Sequence, residues 1–202
     1  MPSDLELLTA WKGGDKVAGS ELCGRHFDTL FRFFSSKTHP NDVSDLVQKT
    51  LLAAVESIAG YRAEASIKSY LLGIARLQLF QHWKRRARDE VLDPGVSSVH
   101  DFDPSPSTLA AAREEQRLVL DALRMIPMDL QIALELHFWE EMSGSEIATV
   151  LEIPEGTVRS RLRRGLEALR EALRELSSSE RLLQSTLDDL ATWENRLVDE
   201  KA

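Results

Sequence analysis

A single cysteine, Cys23, stands among 202 residues, so no internal disulfide framework holds this chain together. Nothing near eighteen consecutive apolar residues occurs, which excludes a membrane-spanning helix and with it membrane insertion. The opening stretch, MPSDLELLTAWKGGDK, has neither the basic start nor the apolar run of an export signal. The expected location is therefore the cytoplasm. Period-two alternation of β-branched residues is missing, and with it the signal for strands. Phosphate loops, nucleophile elbows and His-Glu-x-x-His pairs are missing as well, so no enzymatic activity is expected of this chain alone. Cys23 and His26 have a spacing known from zinc ligands. No second ligand pair accompanies them and both lie on an amphipathic stretch, so neither a metal nor another cofactor is expected.

What is present is the composition of a folded protein, 43% hydrophobic and 29% charged, written almost throughout with helical periodicity. The expected class is all-α. The pattern predicts helices over 4–11, 16–37, 43–58 and 67–88, with Leu22, Phe27, Leu30, Phe31 and Phe34 on one inward face of the second. In the third, Val43, Leu46, Val47, Leu51, Ala54, Val55 and Ile58 step by threes and fours. Residues 93–108, DPGVSSVHDFDPSPST, read as a linker. This divides the chain into domains at 1–92 and 109–176, followed by a C-terminal helical tail at 177–202. Four further helices are predicted at 109–126, 129–140, 144–151 and 155–176. The tail places Leu183, Leu187, Leu190, Trp193 and Leu197 on one stripe, suited to covering apolar surface or receiving a regulator.

The net charge of −8 is unevenly spread. Residues 1–100 carry 13 Lys/Arg against 12 Asp/Glu, and the remainder 12 against 21. Basic clusters at Lys84-Arg85-Arg86-Ala87-Arg88 and from Arg159 to Arg164 stand out against this acidic background. Such a protein should bind DNA weakly alone, because few phosphates are neutralised while the remaining field repels. A partner that supplied more surface would change that.

The sharpest local signal runs from Met142 to Arg164. Ser143 and Glu146 have the spacing of a capping box, Ile147, Val150 and Leu151 face inward, and Ala148 is small where a second helix would cross. Leu151-Glu152-Ile153 makes a turn, Pro154 suits the first position of a new helix, and Val158, Leu162, Leu166 and Leu169 form its inward stripe. Thr157, Arg159, Ser160, Arg163 and Arg164 point outward near its start. That is the arrangement of a helix-turn-helix, whose second helix reads major-groove base edges with arginine as the best reader of guanine.

The first domain carries a more specific likeness. Asp42-Val-Ser-Asp-Leu-Val-Gln48 with Thr50 resembles the D-x-x-D-L-V-Q-x-T segment of extracytoplasmic-function sigma factors of the sigma-70 family. Tyr61-Arg-Ala-Glu-Ala-Ser-Ile-Lys-Ser-Tyr-Leu-Leu-Gly-Ile-Ala-Arg76 resembles their F-R-G-x-A-S-F-x-x-W-L-x-x-I-A-R, and Ala122 through Arg164 is similar to their region 4. The resemblance spans about residues 5–175. It implies a sigma factor that binds core RNA polymerase, through the clamp helices of β′ and the β flap, and directs promoter-specific initiation. By the same resemblance Asp42, Asp45, Leu46, Val47 and Gln48 would meet polymerase. Tyr61, Ser66, Ile67, Tyr70, Arg76, Lys84 and Arg85 would contact the −10 element, and Thr157, Arg159, Ser160, Arg163 and Arg164 the −35 element of promoter DNA. An anti-sigma factor or other regulator is a further implied partner. The chain departs from the pattern at Lys49, where the family commonly has Glu, at Ile67 (Phe), at Tyr70 (Trp) and at Leu77, where a base-contacting Asn is usual. Two other readings compete: a helix-turn-helix regulator that binds an operator without polymerase, and a sigma-like interaction adaptor, for which Leu77 is the main argument.

Overall fold

In the computed structural model, residues 1–61, 65–92 and 114–177 are described, together with 180, 183, 184, 186–188 and 190 of the tail. Among them the regular elements are all helices, and the chain divides into two compact units. The predicted 93–108 linker, residues 109–113 of the predicted 109–126 helix, residues 62–64, and Trp193 and Leu197 of the tail stripe lie outside the described residues.

The first unit is built from α1 (Asp4–Lys12), α2 (Lys16–Ser35), α3 (Pro40–Ser57), a short 3-10 turn (Ile58–Gly60) and α4 (Ile67–Leu92). Local chemistry sets the ends of these helices. Ser3 opens α1 with a reciprocal capping box to Glu6, and the Asp15 side chain opens α2 by accepting from the N–H groups of Val17 and Ala18. The His39 ring accepts from Asn41, with Pro40 at the first helical position of α3, where its missing N–H costs nothing. Asp4 then ties α1 to α2 through Arg25 at 3.0 Å and His26 at 2.8 Å. Burial alone would raise the Asp4 carboxyl, but hydrogen bonds from His26 and Arg25 outweigh it and hold the group below its ordinary range. The core comprises Leu22, Leu30, Phe33 and Phe34 of α2, Val43, Leu46, Val47 and Ala54 of α3, and Leu71, Leu72, Ala75 and Leu79 of α4.

The expected inward face of α2 needs correcting. Leu22, Leu30 and Phe34 are buried, but Phe27 and Phe31 are exposed and stack on each other at 6.2 Å. Phe33, which the stripe omitted, is buried instead. The buried arc is centred nearer Leu22, because α3 and α4 cover that side. Val55 is likewise exposed rather than inward.

The second unit holds α5 (Glu114–Met125), α6 (Met128–Phe138), α7 (Gly144–Leu151) and α8 (Glu155–Leu176). α6 is buried nearly all round, from Leu130 through Leu134 and again from Leu136 through Phe138, as befits a central helix. α8 lays Val158, Leu162, Leu166, Leu169 and Leu173 inward. It packs tightly on α6 at Gly165, where an added Cβ would lie 3.0 Å from Leu134 Cγ. Close packing was expected at Ala148, which is only half-buried. In the tail Thr186 and Leu190 are buried, with Leu183 and Leu187 half-buried.

Candidate nucleic-acid interface

The helix-turn-helix is built by short-range bonds. Ser143 and Glu146 close their box, with Ser143 N–H donating to Glu146 Oε2 at 3.0 Å and Glu146 N–H to Ser143 Oγ at 3.3 Å. The turn after α7 places Glu152 in the left-handed region at φ 55°, a conformation that side chains adopt at some cost. Ile153 N–H then donates to the carbonyl of Ala148. Pro154 occupies the N-cap of α8 rather than its first helical residue, and its carbonyl receives the N–H groups of Thr157 and Val158.

From that start, Arg159, Ser160, Arg163 and Arg164 are exposed and Thr157 is half-buried. At 3.6 residues per turn these positions cover an arc of about 160° opposite the buried stripe. Ser160 Oγ donates to the Thr157 carbonyl at 2.8 Å, and Arg159 lies 4.0 Å from Glu155. Arg161, by contrast, reaches Asp129 of α6 at 3.8 Å, which braces the helix instead of extending the outward set. The arginines at the start of α8 meet a helix dipole that already favours phosphate.

In the first unit Tyr61 and Tyr70 come together, their ring centroids 4.3 Å apart. Tyr70 OH meets Ser57 Oγ at 2.6 Å, Tyr61 OH donates to the carbonyl of Ala65, and Lys12 of α1 donates to the Tyr61 carbonyl at 2.6 Å. Burial, and then the neighbouring Tyr70, pushes the Tyr61 phenol above its ordinary value. Ser66 is exposed and starts α4 by accepting from Ser69 N–H at 3.1 Å. Ile67 does not join this group at the surface. It is 6% exposed, because the first turn of α4 points its apolar side into the bundle. Arg76 sets its guanidinium 5.6 Å from the Phe80 ring centroid, and Lys84 and Arg85 are exposed farther along.

On α3, Asp45 and Gln48 are exposed, but Leu46 and Val47 are core residues at 2% and 1% exposure. The helical step that brings Asp45 out turns the next two positions in. Asp42 is paired across to α4, with Arg86 at 3.4 Å and His82 at 3.7 Å, and Asp45 pairs with Lys49 at 2.5 Å. The exposed side of α3 also carries Leu52 and Val55. Together with Asp42, Asp45, Gln48 and Lys49 they fall within an arc of about 140°. Val55 was missed because an apolar residue in an amphipathic pattern is read as core, whereas Leu52 lay outside the inward stripe and was given no role; their offset from Gln48, by four and seven positions, was the available signal.

A bundle with a half-exposed aromatic pair and a basic helix end, followed by a helix-turn-helix with outward arginines, defines a two-domain DNA-binding transcription factor. Residues 23–89 match the family described as Sigma-70 region 2, and residues 116–169 match Sigma-70, region 4. The chain is 27% identical to the ECF RNA polymerase sigma-E factor of Haemophilus influenzae, over 86% of this chain and 97% of that one. It is 27% identical to the RNA polymerase sigma-H factor of Pseudomonas aeruginosa, over 86% and 95%. Among solved structures, CnrH in complex with the cytosolic domain of CnrY is similar in fold, with a TM-score of 0.62, 21% identity, and coverage of 85% and 97%. So is the sigma factor RpoE of Bartonella quintana in complex with the anti-sigma factor NepR, with a TM-score of 0.61, 23% identity, and coverage of 75% and 93%. The chain belongs to the sigma-70 family, in its extracytoplasmic-function subfamily. It is a sigma factor of transcription initiation, and no catalytic activity is indicated for it. Among the described residues no helix is long and apolar enough to cross a membrane.

Proposed function

We propose that the chain divides promoter recognition between its two domains, 1–92 and 109–176, joined through 93–108. The first docks on core RNA polymerase, at the clamp helices of β′, with the exposed side of α3: Asp42, Asp45 and Gln48 flanked by Leu52 and Val55. Leu46 and Val47 support that face from beneath and do not touch the partner. The same domain engages the −10 element with Tyr61, Ser66, Tyr70, Arg76, Lys84 and Arg85, Ile67 acting only as support. The second domain meets the β flap and reads the −35 element with Thr157, Arg159, Ser160, Arg163 and Arg164. The chain works in the cytoplasm, holds no cofactor, and leaves phosphodiester chemistry to the polymerase. We add an anti-sigma factor as a regulating partner, a reading supported by the similar fold of the Bartonella quintana sigma factor RpoE in its complex with the anti-sigma factor NepR.

The observation that carries this reading is the outward set on α8, held rigidly because its opposite side is buried from Val158 to Leu173. A net charge of −8 supports the dependence on polymerase, since too few phosphates are neutralised by the chain alone. The test mixes the purified chain with core polymerase and a genomic promoter library and sequences the transcripts. Transcripts sharing −35 and −10 motifs at fixed spacing are expected. Footprints formed without core would establish an operator-binding regulator instead, and core binding without initiation an adaptor.

A further inference from the structure

The basic run near the end of α4, Lys84, Arg85, Arg86 and Arg88, does not share one face of the helix. At about 100° per residue, Lys84 and Arg88 stand about 40° apart, while Arg86 lies about 160° from each of them. His82, four residues before Arg86, shares its side. Lys84, Arg85 and Arg88 are exposed, whereas His82 and Arg86 are half-buried.

The side that carries His82 and Arg86 meets α3. Arg86 Nη1 donates to Asp42 Oδ2 at 3.4 Å, and its guanidinium carbon lies 5.8 Å from the Trp83 ring centroid. His82 Nε2 stands 3.7 Å from the same oxygen, closed off from solvent and without a hydrogen-bond partner. Arg86 is therefore the cation that fixes this carboxylate. The nearest acid on α3, Asp45, is matched separately by Lys49. The other oxygen of Asp42 accepts no hydrogen bond among the described residues, and the side chain keeps 35% of its surface open. An arginine already matched by a carboxylate, on the side of the helix away from Lys84 and Arg88, has little charge to offer a phosphate.

We propose that Arg86 is a positioning residue for polymerase docking and not a phosphate contact: from α4 it holds the Asp42 carboxylate in the orientation that core polymerase meets. This rests on the sigma-factor reading above, which places Asp42 on the docking face. The gain is preorganisation. A side chain held in its bound orientation loses less freedom on association, and one such side chain is worth about threefold to tenfold in affinity. The contact joins a single nitrogen to a single oxygen, so a lysine can supply the same charge.

The test titrates core polymerase with the full-length chain, each variant being held below its own thermal midpoint. Arg86→Gln is expected to weaken core binding about threefold to tenfold, and Arg86→Lys to restore most of the loss. On the Asp42→Asn background, Arg86→Gln should cost nothing further, since its effect passes through that carboxylate. Promoter binding by the saturated holoenzyme is then measured against salt. Lys84→Gln should flatten the logarithmic slope by about one, as loss of a phosphate contact does, while Arg86→Gln leaves it at the wild-type value. Core binding unaffected by Arg86→Gln would overturn the proposal. So would additive losses in the pair of variants, or a salt slope that Arg86→Gln flattens as Lys84→Gln does. None of these results touches the sigma-factor reading, which fails instead if the wild-type chain does not bind core polymerase.

Discussion

Replacing Gly165 by alanine tests how α8 is positioned. In a helix interior this change ordinarily stabilises by about 0.8–1.0 kcal/mol, because alanine loses less backbone entropy. At position 165 the new methyl would stand 3.0, 3.2 and 3.3 Å from the Cγ, Cδ1 and Cδ2 atoms of Leu134. Leu134 is 0% exposed and has nowhere to retreat. Forcing a methyl into such a site costs about 1–3 kcal/mol. The crowding offsets that gain, and the net loss should be up to about 2 kcal/mol. Gly24 of α2 supplies the internal control, since a Cβ there meets nothing within 4 Å, and Gly24→Ala should gain up to about 1 kcal/mol. Thermal unfolding followed by far-UV circular dichroism reads the contrast. At about 4–8 °C per kcal/mol for a domain of this size, Gly165→Ala should lower the midpoint of the second domain, by up to about 16 °C, and Gly24→Ala should raise that of the first. The two domains must be resolved as separate transitions for these shifts to be assigned. A Gly165→Ala protein stabilised as much as the Gly24→Ala control would refute the reasoning, because Leu134 would then have yielded freely.

Other changes probe the site and its supports. Arg163→Ala should weaken promoter binding by holoenzyme by about 1–3 kcal/mol if the guanidinium contacts a guanine, while leaving affinity for core unchanged; equal loss on DNA lacking the −35 element would show a phosphate contact instead. Ser143→Ala removes the capping oxygen that receives Glu146 N–H and should cost about 1 kcal/mol of stability, read by urea denaturation. His82 gives a pH dependence. Burial lowers its pKa, Asp42 opposes this, and Arg86 followed by Lys49 adds to the drop, with a small opposing pull from Asp45, so the imidazole titrates below its ordinary 6.5. The unfolded chain then takes up the proton at higher pH than the folded one. The stability this group contributes is present above pH about 6.5 and is lost as pH falls from there through the folded value. His82→Gln should flatten stability against pH across that window; identical slopes would count against the burial argument.

Much of the local structure was legible in the residues because its causes are local. The capping box at Ser143 and Glu146, the ends of α7 and α8, and Pro154 at the α7–α8 turn follow from bonds that span five residues or fewer. The outward set on α8 was legible for a similar reason, since its opposite positions are uniformly apolar. α3 was harder to read. Leu46 and Val47 adjoin the acidic edge in sequence and share its motif, yet the helical step buries them. Contiguity in a motif carries no information about depth.

By itself the sequence determined that the described part of this chain is helical, where most of its helices begin and end to within a few residues, and that arginines cluster at the start of α8, since propensity, capping and periodicity act within a few residues. Only the tertiary structure decided that Phe27 and Phe31 face outward, that Asp42 pairs with Arg86, and that Gly165 packs tightly against Leu134. Periodicity places side chains around a helix axis, but which arc is covered depends on neighbours distant in the chain.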